Sequence, residues 1–89
     1  MEEKLFKLIP QVGNLYKELE VLSAKARADW PAPPEAIERY KDLLEKTKKI
    51  VPENDEFASL KDPTKDIKTL GLFMLVSTLD GVLKAAIMD

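Results

Sequence analysis

The sequence contains no cysteine and no histidine, and only three of its 89 residues are glycine. Without the first two it lacks the commonest general base, the commonest transition-metal ligand and the strongest side-chain nucleophile. The glycines, Gly13, Gly71 and Gly81, lie too far apart to form a phosphate-binding loop. We therefore expect no enzymatic activity, no catalytic residue, no metal ion and no cofactor.

A large charge of either sign is also absent. The chain carries 14 basic and 16 acidic residues, whereas nucleic-acid binding needs a clustered basic surface. The start of the chain, "MEEKLFKLIP", lacks the basic start and the long apolar run of a secretory signal, so we expect the cytoplasm as the default location. With 45% hydrophobic and 34% charged residues, the composition predicts one soluble globular domain spanning residues 1–89.

The polar composition is uneven, with asparagine and glutamine rare beside lysine and glutamate. This tilt resembles that of proteins from heat-loving organisms, although chance explains it equally well in so short a chain.

Helical periodicity dominates what is present. The first predicted helix spans residues 2–28, where apolar residues recur at alternating steps of three and four: Leu5, Leu8, Val12, Leu15, Leu19, Leu22 and Ala26. Pro10 falls on the opposite side of the helical wheel, which favours one kinked helix. A break near Leu8, with Pro10 in the first turn of a new helix, remains the alternative.

The second predicted helix spans residues 34–50 and begins at Pro34, a residue suited to the first helical position. Its acidic residues come early and its lysines late, as the helix dipole favours. Three pairs are spaced for ion pairing along one turn: Glu35–Arg39, Asp42–Lys46 and Glu45–Lys49.

The stretch before this helix, "DWPAPP" at residues 29–34, predicts a stiff corner between two antiparallel helices, with Trp30 folded over the end of the core. Pro31 and Pro34 also have the spacing of proline motifs that dock into aromatic-lined grooves. The alternative role for Trp30, Pro31 and Pro34 is therefore a partner surface.

A third helix is predicted over residues 63–88, with Asp62 as its cap and Pro63 in its first turn. A short helical turn near residues 53–60 would connect it to the second helix. The acidic run "ENDE" at 53–56 lacks the spacing of a calcium loop, so it indicates a solvated connector. The predicted fold class is all-α: a small antiparallel bundle of three main helices plus this connecting turn.

The third helix is the most apolar part of the chain. One broad face carries large residues, and a second seam beside it is mostly small: Gly71, Met74, Thr78, Gly81 and Ala85. Such a helix is normally buried from two directions, so we expect this seam to be an interface with a second copy of the chain. The alternative is that the first helix or the connecting turn covers it. Asp80 and Lys84 argue against a membrane span.

These patterns favour a non-enzymatic, cytoplasmic protein–protein interaction module that binds a partner helix, most simply as a homodimer through its C-terminal helix. The alternative is a small accessory subunit of a nucleic-acid-associated complex. It would contact nucleic acid through the basic end of the second helix, which carries Arg39, Lys41, Lys46, Lys48 and Lys49. The sequence indicates neither the biological process nor the partner's identity.

Overall fold

The computed structural model describes residues 2–24, 29–50, 60 and 62–88, and the chain is an all-α bundle as predicted. Helix α1 spans Glu2–Leu22, α2 spans Pro34–Ile50 and α3 spans Thr69–Met88. The described ranges contain no strand; their only extended pairing is an isolated antiparallel bridge between Pro31 and Lys68. All three helices therefore come from the predicted apolar periodicities.

One hydrophobic core joins the three helices. Each helix contributes the residues that its periodicity places on one face, and the fully buried aliphatic side chains are Val12, Leu15 and Leu19 of α1, Leu44 of α2 and Leu72, Val76, Leu79 and Leu83 of α3. Burying one such side chain contributes about 1.5 to 3 kcal/mol relative to leaving it in water. The core thus accounts for the choice of inward face on every helix.

Helix α1 passes through Pro10 without a break. Pro10 is exposed, so the carbonyl that loses its helical partner there faces the solvent side. The prediction of one helix rather than two is confirmed. Its predicted end at residue 28 lies outside the described residues; the α-helix spans Glu2–Leu22, and Ser23 and Ala24 continue it as a π-helical turn. Ala26 lies outside the described residues.

Helix α2 has the predicted bounds, starting at Pro34 and ending at Ile50. Ile37, Tyr40 and Leu43 are buried with Leu44, as the pattern indicates. Thr47 is also buried, and its hydroxyl donates a 2.8 Å hydrogen bond to the carbonyl of Leu43. That internal bond satisfies a polar group that would otherwise weaken the core.

Helix α3 begins at Thr69, so the predicted start at residue 63 is wrong. The Thr69 amide donates a 2.8 Å hydrogen bond to the Trp30 carbonyl, and the Ala32 amide donates one of 2.9 Å to Ile67. These bonds pair residues 67–69 with the corner before α2. The Thr69 amide and the Ile67 carbonyl thus bond to the corner instead of to a helix that starts at residue 63. The predicted cap Asp62 and first-turn residue Pro63 therefore do not start α3.

The proline corner and this pairing fit each other. In an antiparallel bridge of this type, the two facing residues exchange no hydrogen bond; their neighbours do. Pro31 occupies such a position opposite Lys68, where its missing amide hydrogen is not needed. The Thr69 hydroxyl adds a 3.0 Å bond to the Trp30 carbonyl.

The Trp30 side chain does not fold over the core as expected, because 57% of the residue is exposed. The corner is held by the backbone of Trp30 rather than by burial of its indole.

The antiparallel arrangement stays a prediction, and two observations bear on it. Tyr16, in the second half of α1, packs its ring against Phe73 near the start of α3, with ring centroids 4.9 Å apart. This contact is expected if α1 runs opposite to α3. The bridge before α2 and α3 places the beginnings of those two helices at one end of the molecule, which favours the same direction for α2 and α3.

The predicted turn near residues 53–60 and the acidic run at 53–56 lie outside the described residues, apart from Leu60, which is buried.

Candidate functional site

The outer face of α3 is the most unusual surface of the described chain. We use that name for all the exposed residues of the helix whose side chains are described: Leu70, Met74, Ser77, Thr78, Gly81, Lys84 and Ala85. Lys84 alone among them is charged. Leu70 is 43% exposed and Met74 is 62% exposed, although both side chains are apolar. The helix thus presents a nearly uncharged strip to solvent opposite its buried face.

Four of the five predicted interface residues lie on this face: Met74, Thr78, Gly81 and Ala85. The fifth, Gly71, is half-buried at its margin. A methyl group on Gly71 would lie 3.1 Å from the side chain of Ile67 in the same chain. Gly71 therefore has a reason to be glycine that involves no partner, because a larger residue would displace Ile67.

Gly81 has no such neighbour. A methyl group on Gly81 would meet no atom within 4 Å among the described residues outside its own helical turn. A glycine inside a helix costs about 1 kcal/mol relative to alanine. No contact within the described chain offsets that cost, so the alternative that α1 covers this part of the seam finds no support at Gly81.

Leu70 and Ser77 belong to the outer face, and the sequence pattern did not indicate them. At 100° per residue, the exposed strip is rotated by about 40° from the predicted seam, toward the side of Phe73. At the opposite margin of the strip Gly71 is half-buried beside Ile67. Leu70, a leucine at the second position of α3, is the residue of the sequence that could have located the strip.

An ion pair borders the outer face on the side of α1. The Lys84 ammonium lies 2.9 Å from Asp80 Oδ2, one helical turn earlier in the same helix. Asp80 has a side chain only 18% exposed, and its other oxygen, Oδ1, is buried without a hydrogen-bond partner in the described structure. The charge of Lys84 is therefore largely compensated within its own helix.

The basic end of α2 carries less unpaired charge than its sequence suggests. Lys46 pairs with Asp42 at 2.9 Å and Lys49 with Glu45 at 3.2 Å, as predicted. Lys48 donates a 3.0 Å hydrogen bond to the carbonyl of Leu60.

Arg39 pairs with Glu18 of α1 rather than with the expected Glu35. Lys41 is half-buried. These pairings remove support from the hypothesis that this end binds nucleic acid.

The second predicted partner surface lies at the corner. Trp30, Pro31 and Pro34 are all exposed, just before and at the start of α2. The Trp30 backbone binds Thr69, and further interactions of this residue exist. These three residues are therefore accessible to a partner, while the backbone of Trp30 is bonded within the fold.

The described residues offer little chemistry. They contain no group of three acidic side chains placed to hold a metal ion. One of their helices, Thr69–Ile87, is long and apolar enough to cross a membrane. Its inner residues Leu72, Val76, Leu79 and Leu83 form part of the core, and a core helix of a soluble protein has the same length and composition.

The fold and this surface place the chain in one structural class, the small all-α bundles, with a nearly uncharged outer face on its last helix. Comparison with protein families, with curated proteins and with solved structures finds no match.

Proposed function

We propose that this protein is a non-enzymatic helical interaction module that self-associates, two copies packing through the outer face of α3. The observation that carries the proposal is that six of the seven residues of this face are uncharged while the core of the same helix is already complete. The face also exposes two large apolar side chains, Leu70 and Met74, and exposed apolar side chains grouped on one surface are a typical feature of a protein-binding site.

A second copy of the same chain is the favoured partner on electrostatic grounds. In a two-fold dimer each face meets itself, so a face whose charges all have one sign would be repelled by its own copy. The outer face of α3 avoids this, because its single charge lies at the margin and is paired with Asp80. Close approach of a second helix at Gly81 would also offset the helical cost of that glycine.

The first test is the mass of the protein in solution. Sedimentation at micromolar concentration should give a species of twice the 10.1 kDa chain mass. Gly81→Leu should weaken the dimer at least tenfold, since the new side chain stands where the partner approaches. Gly13 offers a matched control on α1, because it too has open space beside it. Gly13→Leu should leave the mass unchanged.

Two results would contradict the proposal. One is a 10.1 kDa species at every concentration, with Gly81→Leu indistinguishable from the parent chain. The other is a monomer that floats with phospholipid vesicles and loses this association on Met74→Glu, which would assign the outer face to a membrane surface. Gly81→Ala separates folding from association, because it should stabilise the isolated helix by about 1 kcal/mol while weakening the dimer.

A further inference from the structure

On the outer face of α3, each large apolar residue in the first half lies at the same distance from the centre as a small residue in the second half. Its exposed large residues, Leu70 and Met74, occupy the first half, and its small residues Gly81 and Ala85 occupy the second. Leu70 and Ala85 have their midpoint between Ser77 and Thr78. Met74 and Gly81 have the same midpoint. A copy of the strip running in the opposite direction therefore faces large residues with small ones.

We propose that two copies pair with their α3 helices antiparallel and the two-fold axis beside Ser77 and Thr78, an inference that rests on the self-association proposed above. Met74 of each copy then packs beside Gly81 of the other, and Leu70 packs beside Ala85. Alternation of large and small side chains across an interface lets two helices interlock without voids.

A parallel pair explains the surface less well. It would set Met74 against Met74 while Gly81 faced Gly81, so the helices would meet only at the small residues and splay apart at Leu70. It would also bring the two Lys84 ammonium groups to the same level. In the antiparallel pair each Lys84 lies level with the uncharged Gly71 of the other copy, so size and charge agree on the direction.

Disulfide cross-linking tests the direction, because the chain has no cysteine of its own. In the antiparallel pair the two Leu70 positions are separated by about 22 Å along the helix axis, since each residue adds about 1.5 Å. A disulfide needs Cα atoms within roughly 7 Å. Leu70→Cys alone and Ala85→Cys alone should therefore stay uncross-linked, whereas a mixture of the two should form the mixed disulfide on mild oxidation.

Two further variants complete the experiment. Ser77→Cys, next to the proposed axis, should cross-link with itself. Glu38→Cys on the exposed side of α2 should not, and it measures random collision. A tag on one partner of the mixture gives the mixed product its own mass.

The outcomes separate the two proposals. A dimer in which Leu70→Cys or Ala85→Cys cross-links with itself as fast as the mixture overturns the antiparallel pairing and leaves self-association standing. A dimer without the mixed disulfide does the same. A parent chain that sediments as a monomer removes both proposals together.

Discussion

Helices α2 and α3 both contribute an apolar inner face to one core, yet the outer face of α2 is charged and that of α3 is nearly uncharged. Seven of the eight exposed residues of α2 are charged, namely Glu35, Glu38, Arg39, Asp42, Glu45, Lys46 and Lys49, with Pro34 the exception. One of the seven exposed residues of α3 is charged. Both helices must bury one side to fold, but only α2 has a second side that water solvates well. The difference teaches that the core requires only one apolar face of each helix, so the nearly uncharged outer face of α3, with Leu70 and Met74 exposed, needs another explanation.

The largest expected effects on stability come from the inner faces of α2 and α3, and they test whether the two faces contribute equally to the core. Leu44 of α2 and Leu79 of α3 are both fully buried, so Leu44→Ala and Leu79→Ala should each lower the free energy of unfolding by about 2 to 5 kcal/mol. Denaturant unfolding measures both. Met74→Ala on the outer face should change the stability of the dilute monomer by less than about 0.5 kcal/mol. A large loss at Met74 under those conditions would mean that the outer face belongs to the folding core.

The inner faces differ at Tyr40, whose hydroxyl is buried in α2 without a hydrogen-bond partner among the described residues. Burial, and after it the negative charge of Asp62, raises the pKa of Tyr40 from 10.0 to about 12. The folded state therefore holds this proton more tightly than the unfolded state. Its contribution to stability is complete below pH 10 and is lost as the pH rises from 10 to 12.

The loss should reach about 2 to 3 kcal/mol above that range. Tyr40→Phe is the control, since it keeps the ring and removes the titrating hydroxyl. Unfolding measured against pH should show a shallower alkaline decline for Tyr40→Phe than for the parent chain. At neutral pH the variant should be at least as stable, because it removes an unpaired buried hydroxyl. Identical alkaline profiles for the two proteins would contradict this account of Tyr40.

The smallest expected effect lies on the outer face of α2. The Lys46–Asp42 pair is more than half exposed on both sides, so Lys46→Ala should lower stability by about 0.3 to 0.5 kcal/mol, and less at high salt. The mass of the protein in solution should not change. A shift from dimer to monomer on Lys46→Ala would break the comparison, because it would place the interface on the charged helix.

Most of the fold was predictable because helical periodicity is a local property. The bounds of α2, the passage of α1 through Pro10 and the inner residues of α3 all follow from apolar spacing and from the placement of proline. The start of α3 was not predictable in the same way. Asp62 and Pro63 carry a local starting signal, but the backbone of Ile67 and Thr69 pairs with residues more than thirty positions earlier in the chain. A local pattern contains no information about such a pairing.

The candidate site likewise has a part that the sequence predicted and a part that only the structure showed. Spacing alone indicated Met74, Thr78, Gly81 and Ala85, and the structure places all four on one exposed face. Packing decided which side of the seam is exposed: Gly71 is half-buried beside Ile67, and Leu70 is exposed.

The sequence by itself determined three amphipathic helices, one excess of apolar surface on the last of them and the absence of the side chains that most catalysis needs. Composition and spacing are sufficient for these conclusions, because each depends only on residues within a few turns of one another. The tertiary structure alone decided where α3 begins, where Trp30 lies and that Gly71, unlike Gly13 and Gly81, has a neighbouring side chain beside it. Those features depend on contacts between segments distant in the chain, and only packing brings such segments together.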